Sequence, residues 1–165
     1  MNETIILTWL QDSALGEAVR SIAWLFPTLE TLHFIGLCLM LGSLLLLDLR
    51  LLGVTRRIPI GPATHYIAIA ITGFALCAIS GIGFVCADPF NYASNWAFKL
   101  KLVLILIAGL NAMAFEILER RKVMVMAPGS DTNALTKGIA GMSLVLWFTV
   151  LCLGRLLPYL GGYGG

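Results

Sequence analysis

Residues 27–53 read PTLETLHFIGLCLMLGSLLLLDLRLLG. The run is long and apolar enough to cross a bilayer, which takes about 20 mainly apolar residues. Yet it holds Glu30, His33 and Asp48. Ionisable side chains in hydrocarbon are costly, so they turn toward a bundle interior or a wet cavity. The stretch therefore predicts a membrane helix with one polar face.

The rest of the chain extends that reading. Of its 165 residues, 59% are hydrophobic and 12% charged, and mean hydropathy is +0.91. A soluble domain carries about 25% charged residues. Four stretches are long enough to span: 21–54, 65–87, 96–119 and 134–157. They are separated by RRIPIGP, ADPFNYASN and APGSDTN, and Pro158 punctuates the end. Backbone groups in lipid must bond internally, which long apolar helices do, and the short alternating strands of a barrel are not seen. Residues 1–165 thus read as one all-α domain, an integral membrane four-helix bundle. Residues 1–20 place Ile5, Ile6, Trp9 and Leu10 at helical spacing with acids elsewhere, the pattern of an amphipathic interfacial helix or a partner-docking one. No signal-peptide pattern is present, so the first span is expected to stay in the mature protein.

Basic residues predict direction. The first connection carries Arg50, Arg56 and Arg57, and the third Arg120, Arg121, Lys122 and Lys137. The second has Asp88 and no basic residue before Lys99. Both odd connections are expected in the cytoplasm and both termini outside. The net charge of +2, with no basic cluster interleaved with aromatics, argues against nucleic acid. The expected partners are the lipid bilayer and other membrane subunits or a second copy. Cys38, Cys77, Cys86 and Cys152 form no CxxC pair and read as buried thiols, with a Cys86–Cys152 disulfide left open.

Glu30 and Asp48 are eighteen residues apart, about five turns, so they share a face. His33 and Met40 lie close to it, with Leu37, Leu41 and Leu44 between. Two clusters are expected. At the outer end Glu30, His33 and Met40 would meet Lys101 and Arg155. At the inner end Asp48 would join Arg50, Arg57, His65 and Glu116 to fasten the helices, with Asn111 bonding across mid-bundle. Gly73, Cys77 and Gly81, spaced by four, form a small-residue ridge expected to face another helix.

The chemistry these residues offer is limited. The two histidines, His33 and His65, sit at opposite ends of the bundle and cannot share one haem within a subunit. His33 is the candidate metal ligand, for haem b with Met40 or Met113, or after that for copper. Quinone is the other cofactor considered. Glu30-x-x-His33 has di-iron spacing, but a di-iron bundle needs two such motifs and further glutamates. Cys38 points about 140° from His33 on the helix, away from any shared site. No Ser-His-Asp set, P-loop or HExxH occurs.

The strings WLQDSALGEAVRSIAWLFPTLETLHFIG, DLRLLG and FKLKLVLILIAGLNAMAF resemble a family of small four-helix bacterial inner-membrane proteins. The likeness runs through Phe115 and rests on Pro27–Glu30–His33–Gly36 and Asp48–Arg50–Gly53. The third-helix string is also distantly similar to the CopD copper-resistance domain. The resemblance implies four helices and an inner-membrane location. Some relatives carry His where this chain has Glu116, so a shared inner-end metal site is not implied here. Three functions follow in order: a non-catalytic accessory or anchor subunit of a larger complex, an electron-transfer subunit holding haem or quinone near Glu30 and His33, and a CopD-like copper or small-solute permease.

Overall fold

The computed structural model describes residues 2–56, 63–127 and 129–160. Among them there are helices and no strands: α1 (Asn2–Gln11), α2 (Ala14–Ser21), α3 (Leu25–Leu51), α4 (Ala63–Ala87), α5 (Pro89–Ser94), α6 (Trp96–Leu118), α7 (Arg120–Met124) and α8 (Ala134–Leu160). Four are long and apolar enough to cross a membrane: Leu25–Leu51, His65–Ala87, Trp96–Leu118 and Ala134–Leu160.

Local chemistry sets the boundaries. The N-terminal segment is two helices rather than one, because the Ser13 side chain caps α2 by accepting from the Gly16 amide. The α3 helix ends at Gly53, whose φ of +84° is the left-handed region glycine adopts without strain. The amide of Gly53 donates to Arg50 O and that of Val54 to Leu49 O, a Schellman ending that satisfies the last carbonyls. The break after α4 is itself helical: Asp88 caps α5 and Pro89 occupies its first turn. Asn95 then caps α6 through Ala97 N and Phe98 N while its amide donates to Leu157 O on α8. A cap of this kind stabilises by about 1 kcal/mol. At the other end, α8 continues past Pro158 to Leu160.

The spans pack as two hairpins, α3 with α4 and α6 with α8. Contact between α3 and α8 joins the hairpins, while α4 and α6 share no packed face. The helices thus form an arc in the order α4, α3, α8, α6. Gly36 and Gly73 let α3 and α4 touch backbone to backbone: a Cβ at Gly73 would lie 2.6 Å from Gly36 O. Gly81, expected on the same ridge, faces open space.

We call the two ends of the bundle the α5 end and the α7 end. The apolar core of Leu47, Leu51, Phe115, Val123 and Ala140 lies at the α7 end. There Thr132 donates to Leu51 O, and Arg50 donates to Ser130 O at 3.4 Å. Trp9, Trp24 and Trp96 are exposed at the α5 end, the placing of an interfacial aromatic belt. Also at this end α2 lies on α4, Gly16 fits against Cys86 O, and Arg20 donates to the Cys86 and Ala87 carbonyls that α4 leaves unpaired. All four cysteines are free thiols.

Candidate functional site

The arc leaves a cavity of about 600 Å³ between α4 and α6, running from mid-bundle toward the α7 end. Its walls are apolar, with Met40 and Leu44 from α3, Ile67 and Ile71 from α4, and Ile105 and Met113 from α6. Phe74 and Trp147 meet edge to face across it, ring centroids 6.3 Å apart, tying α4 to α8. Ile105, one turn of α6 beyond Lys101, is among the lining residues nearest the α5 end.

Asp48 lines this cavity and is 4% exposed. Ser143 of α8 lies beside its carboxyl. Its Oδ2 is shielded from solvent and has no hydrogen-bond partner among the described residues. Buried polar atoms are almost always bonded, and an orphan one is destabilising by about 1–3 kcal/mol or more when charged. Asn111 also lines the cavity, and its amide donates to Ile139 O on α8 at 3.1 Å. At the mouth Glu116 pairs with Arg120 one turn on.

The other inner-end candidates lie apart from Asp48. Arg50, two residues along, is turned to Ser130 and the loop. His65 is exposed at the start of α4, and Arg57 lies outside the described residues. The expected outer cluster is also dispersed. Glu30 and Arg155 are exposed, and among the described residues no ion pair includes Glu30, Lys101 or Arg155. Glu30 has the helical phase of Asp48, but α8 covers that face only near the α7 end. Toward the α5 end α8 follows α6 instead, with Gly154 against the Lys101 ammonium and Leu157 bonded to Asn95.

His33 packs on α4, Nδ1 2.8 Å from Ser80 Oγ and its ring 5.5 Å from that of Phe84. Ser80 donates its hydrogen to Leu76 O at 2.6 Å. His33 Nδ1 is therefore the donor to Ser80, which leaves Nε2 as the lone-pair nitrogen. Met40, the expected partner, is buried in the α3–α4 seam against Gly73, and Met113 lines the cavity. Neither is brought to the His33 ring as an axial pair, so these residues do not fit a haem within one chain. No group of three His, Cys, Asp or Glu converges among the described residues.

A third cluster was not singled out from sequence. Glu119, fully buried where α6 turns into α7, accepts from Lys122 Nζ at 2.7 Å, Thr136 Oγ1 at 2.6 Å and Asn133 Nδ2 at 2.7 Å. These bonds push its carboxyl down to about 2, the Lys122 bond foremost, then those of Thr136 and Asn133. Beside it Asp131 pairs with Lys137 at 2.9 Å and Arg56 at 3.0 Å, and the Lys137 bond holds it below the usual carboxylate range. The only sequence signal was three capping-type residues, Asp131, Thr132 and Asn133, just before α8. Both acids are fully engaged with their neighbours, so we read this cluster as a strap between helices.

No family model, curated protein or solved structure matches the chain.

Proposed function

We propose that this protein is a non-catalytic binding protein of the bacterial inner membrane, of the small-solute permease class, which takes a membrane-soluble molecule into the Asp48 cavity. The observation that carries this reading is the buried Asp48 carboxyl, its Oδ2 without a partner among the described residues, on the wall of a cavity of about 600 Å³. A helix anchor has no need of a buried carboxyl on the wall of an apolar cavity, whereas binding sites pair apolar walls with a few placed polar groups. The separation of α4 from α6 supports entry from the lipid side. Native mass spectrometry after gentle detergent extraction tests the reading. The chain should carry a small molecule at near-stoichiometric ratio, lost when Ala112→Trp fills the cavity. A stoichiometric protein partner with no small molecule would return the anchor reading to first place, and a Soret band would favour electron transfer.

The orientation belongs to the same proposal. Arg56, Arg121, Lys122 and Lys137 all gather at the α7 end, which supports placing that end in the cytoplasm. With the native cysteines replaced, Ser130→Cys should react with an impermeant maleimide only when the cytoplasmic face is opened. Labelling in intact cells would invert the topology.

A further inference from the structure

We infer that the molecule this cavity takes is a lipophilic organic monocation, its charged centre against Asp48 and its apolar body between Phe74 and Trp147. The inference rests on the cavity being a binding site, as proposed above, and adds the charge of what enters it.

Charge balance is the first support. Among the described residues, the ionisable ones that line the cavity are Asp48, Glu116 and Arg120. Glu116 and Arg120 neutralise each other at the mouth. With Asp48 as carboxylate the described lining carries one negative charge that no other described lining residue balances. Lys101 is the nearest cation on the opposite wall. Its ammonium lies against Gly154 of α8, about three turns or roughly 16 Å nearer the α5 end than Ser143, too far to pair. A buried carboxylate without a partner is costly, and a cation placed against it removes that cost.

Hydrogen-bond capacity points the same way. Deep in the cavity Ser143 lies beside the Asp48 carboxyl and the Asn111 amide donates to Ile139 O. What Asp48 presents as a carboxylate is acceptor oxygen only. A ligand headed by carbonyls, such as a quinone, would bring acceptors to a carboxylate that itself only accepts. A ligand that donates, or that carries positive charge, completes the set. The aromatic pair adds to this, because ring faces attract cations. Size excludes a bare metal ion: about 600 Å³ of mainly apolar space suits an organic molecule, and no three-ligand group converges there.

Purified full-length protein in nanodiscs of zwitterionic lipid provides the test, by equilibrium binding of tetraphenylphosphonium, of tetraphenylborate and of a short-chain quinone. The two tetraphenyl ions share a shape and differ in sign. Tetraphenylphosphonium should bind at about one per chain, and Asp48→Asn should weaken it by about thirtyfold or more, as for a truncated buried charge pair. Asp48→Glu should retain binding. Trp147→Leu should cost about fivefold, the scale of a partly desolvated cation–π contact. Circular dichroism and thermal melting would establish that each variant is folded. Equal binding of tetraphenylphosphonium to wild type and folded Asp48→Asn would overturn the inference. So would preference for tetraphenylborate or the quinone, although the cavity reading would then survive. If no probe binds and Ala112→Trp changes nothing that co-purifies, the cavity reading fails as well.

Discussion

Gly73→Ala should destabilise the bundle by about 1–3 kcal/mol, the usual cost of forcing atoms into a packed interface. Gly81→Ala, about two turns further along α4, should melt with the wild type. At Gly73 the added methyl would stand 2.6 Å from Gly36 O and 2.6 Å from Met40 N, both backbone atoms of α3. Backbone cannot rotate away as a flexible side chain can, so the helices must part. At Gly36 a methyl would stand 2.7 Å from Gly73 O, the same contact seen from the other side. Once one substitution has separated the helices, the second meets less resistance. The double variant should therefore lose less than the sum of the two singles. Melting of the four proteins in one detergent decides the matter. If Gly73→Ala and Gly81→Ala melt together, the α3–α4 seam does not run through Gly36 and Gly73.

This contrast also measures what sequence conveys. Apolar length made the four spans legible, because span length follows from bilayer thickness. Small residues spaced by four made the ridge on α4 legible, but not how far it stays in contact. A step of four residues advances about 40° on an α-helix, so Gly81 has turned about 80° from Gly73. The seam has by then passed to Gly83, which fits against Leu29. Phase and coverage part again on α3. The spacing of Glu30 and Asp48 put them on one face, yet Asp48 is buried and Glu30 exposed, because α8 lies against only the α7 end of that face. Sequence marks Asp48 as a costly group and suggests a fastener. The missing partner of Oδ2 and the gap between α4 and α6 are relations among distant segments, which periodicity does not encode. Glu119 was obscure for the same reason. Its position marked the end of a span, while Asn133 and Thr136, two of its three partners, lie across a loop.

Acid should loosen the α7 end before the rest of the bundle, and Glu119 should account for much of that loss. Its carboxyl sits at about 2 in the folded chain against an ordinary value of 4.5. The folded state therefore holds the ionised form more strongly than the unfolded chain does. That contribution is fully present above 4.5, declines as pH falls below it, and is gone once pH has passed about 2. Asp131 is shifted in the same direction, chiefly by the Lys137 bond, so its share is lost in acid too. Glu119→Gln removes the first contribution and leaves the second. The amide keeps one acceptor oxygen but turns a nitrogen donor toward Lys122, Asn133 or Thr136, all of which donate to Glu119. The variant should accordingly melt well below the wild type near neutral pH. On acidification from 4.5 toward 2 its midpoint should fall less than that of the wild type, and the two curves should converge. Hydrogen exchange should locate the early opening in α7 and the first turns of α8. Parallel acid curves for the two proteins would mean that the Glu119 cage does not hold these helices together, and that the acid sensitivity resides in Asp131 or elsewhere.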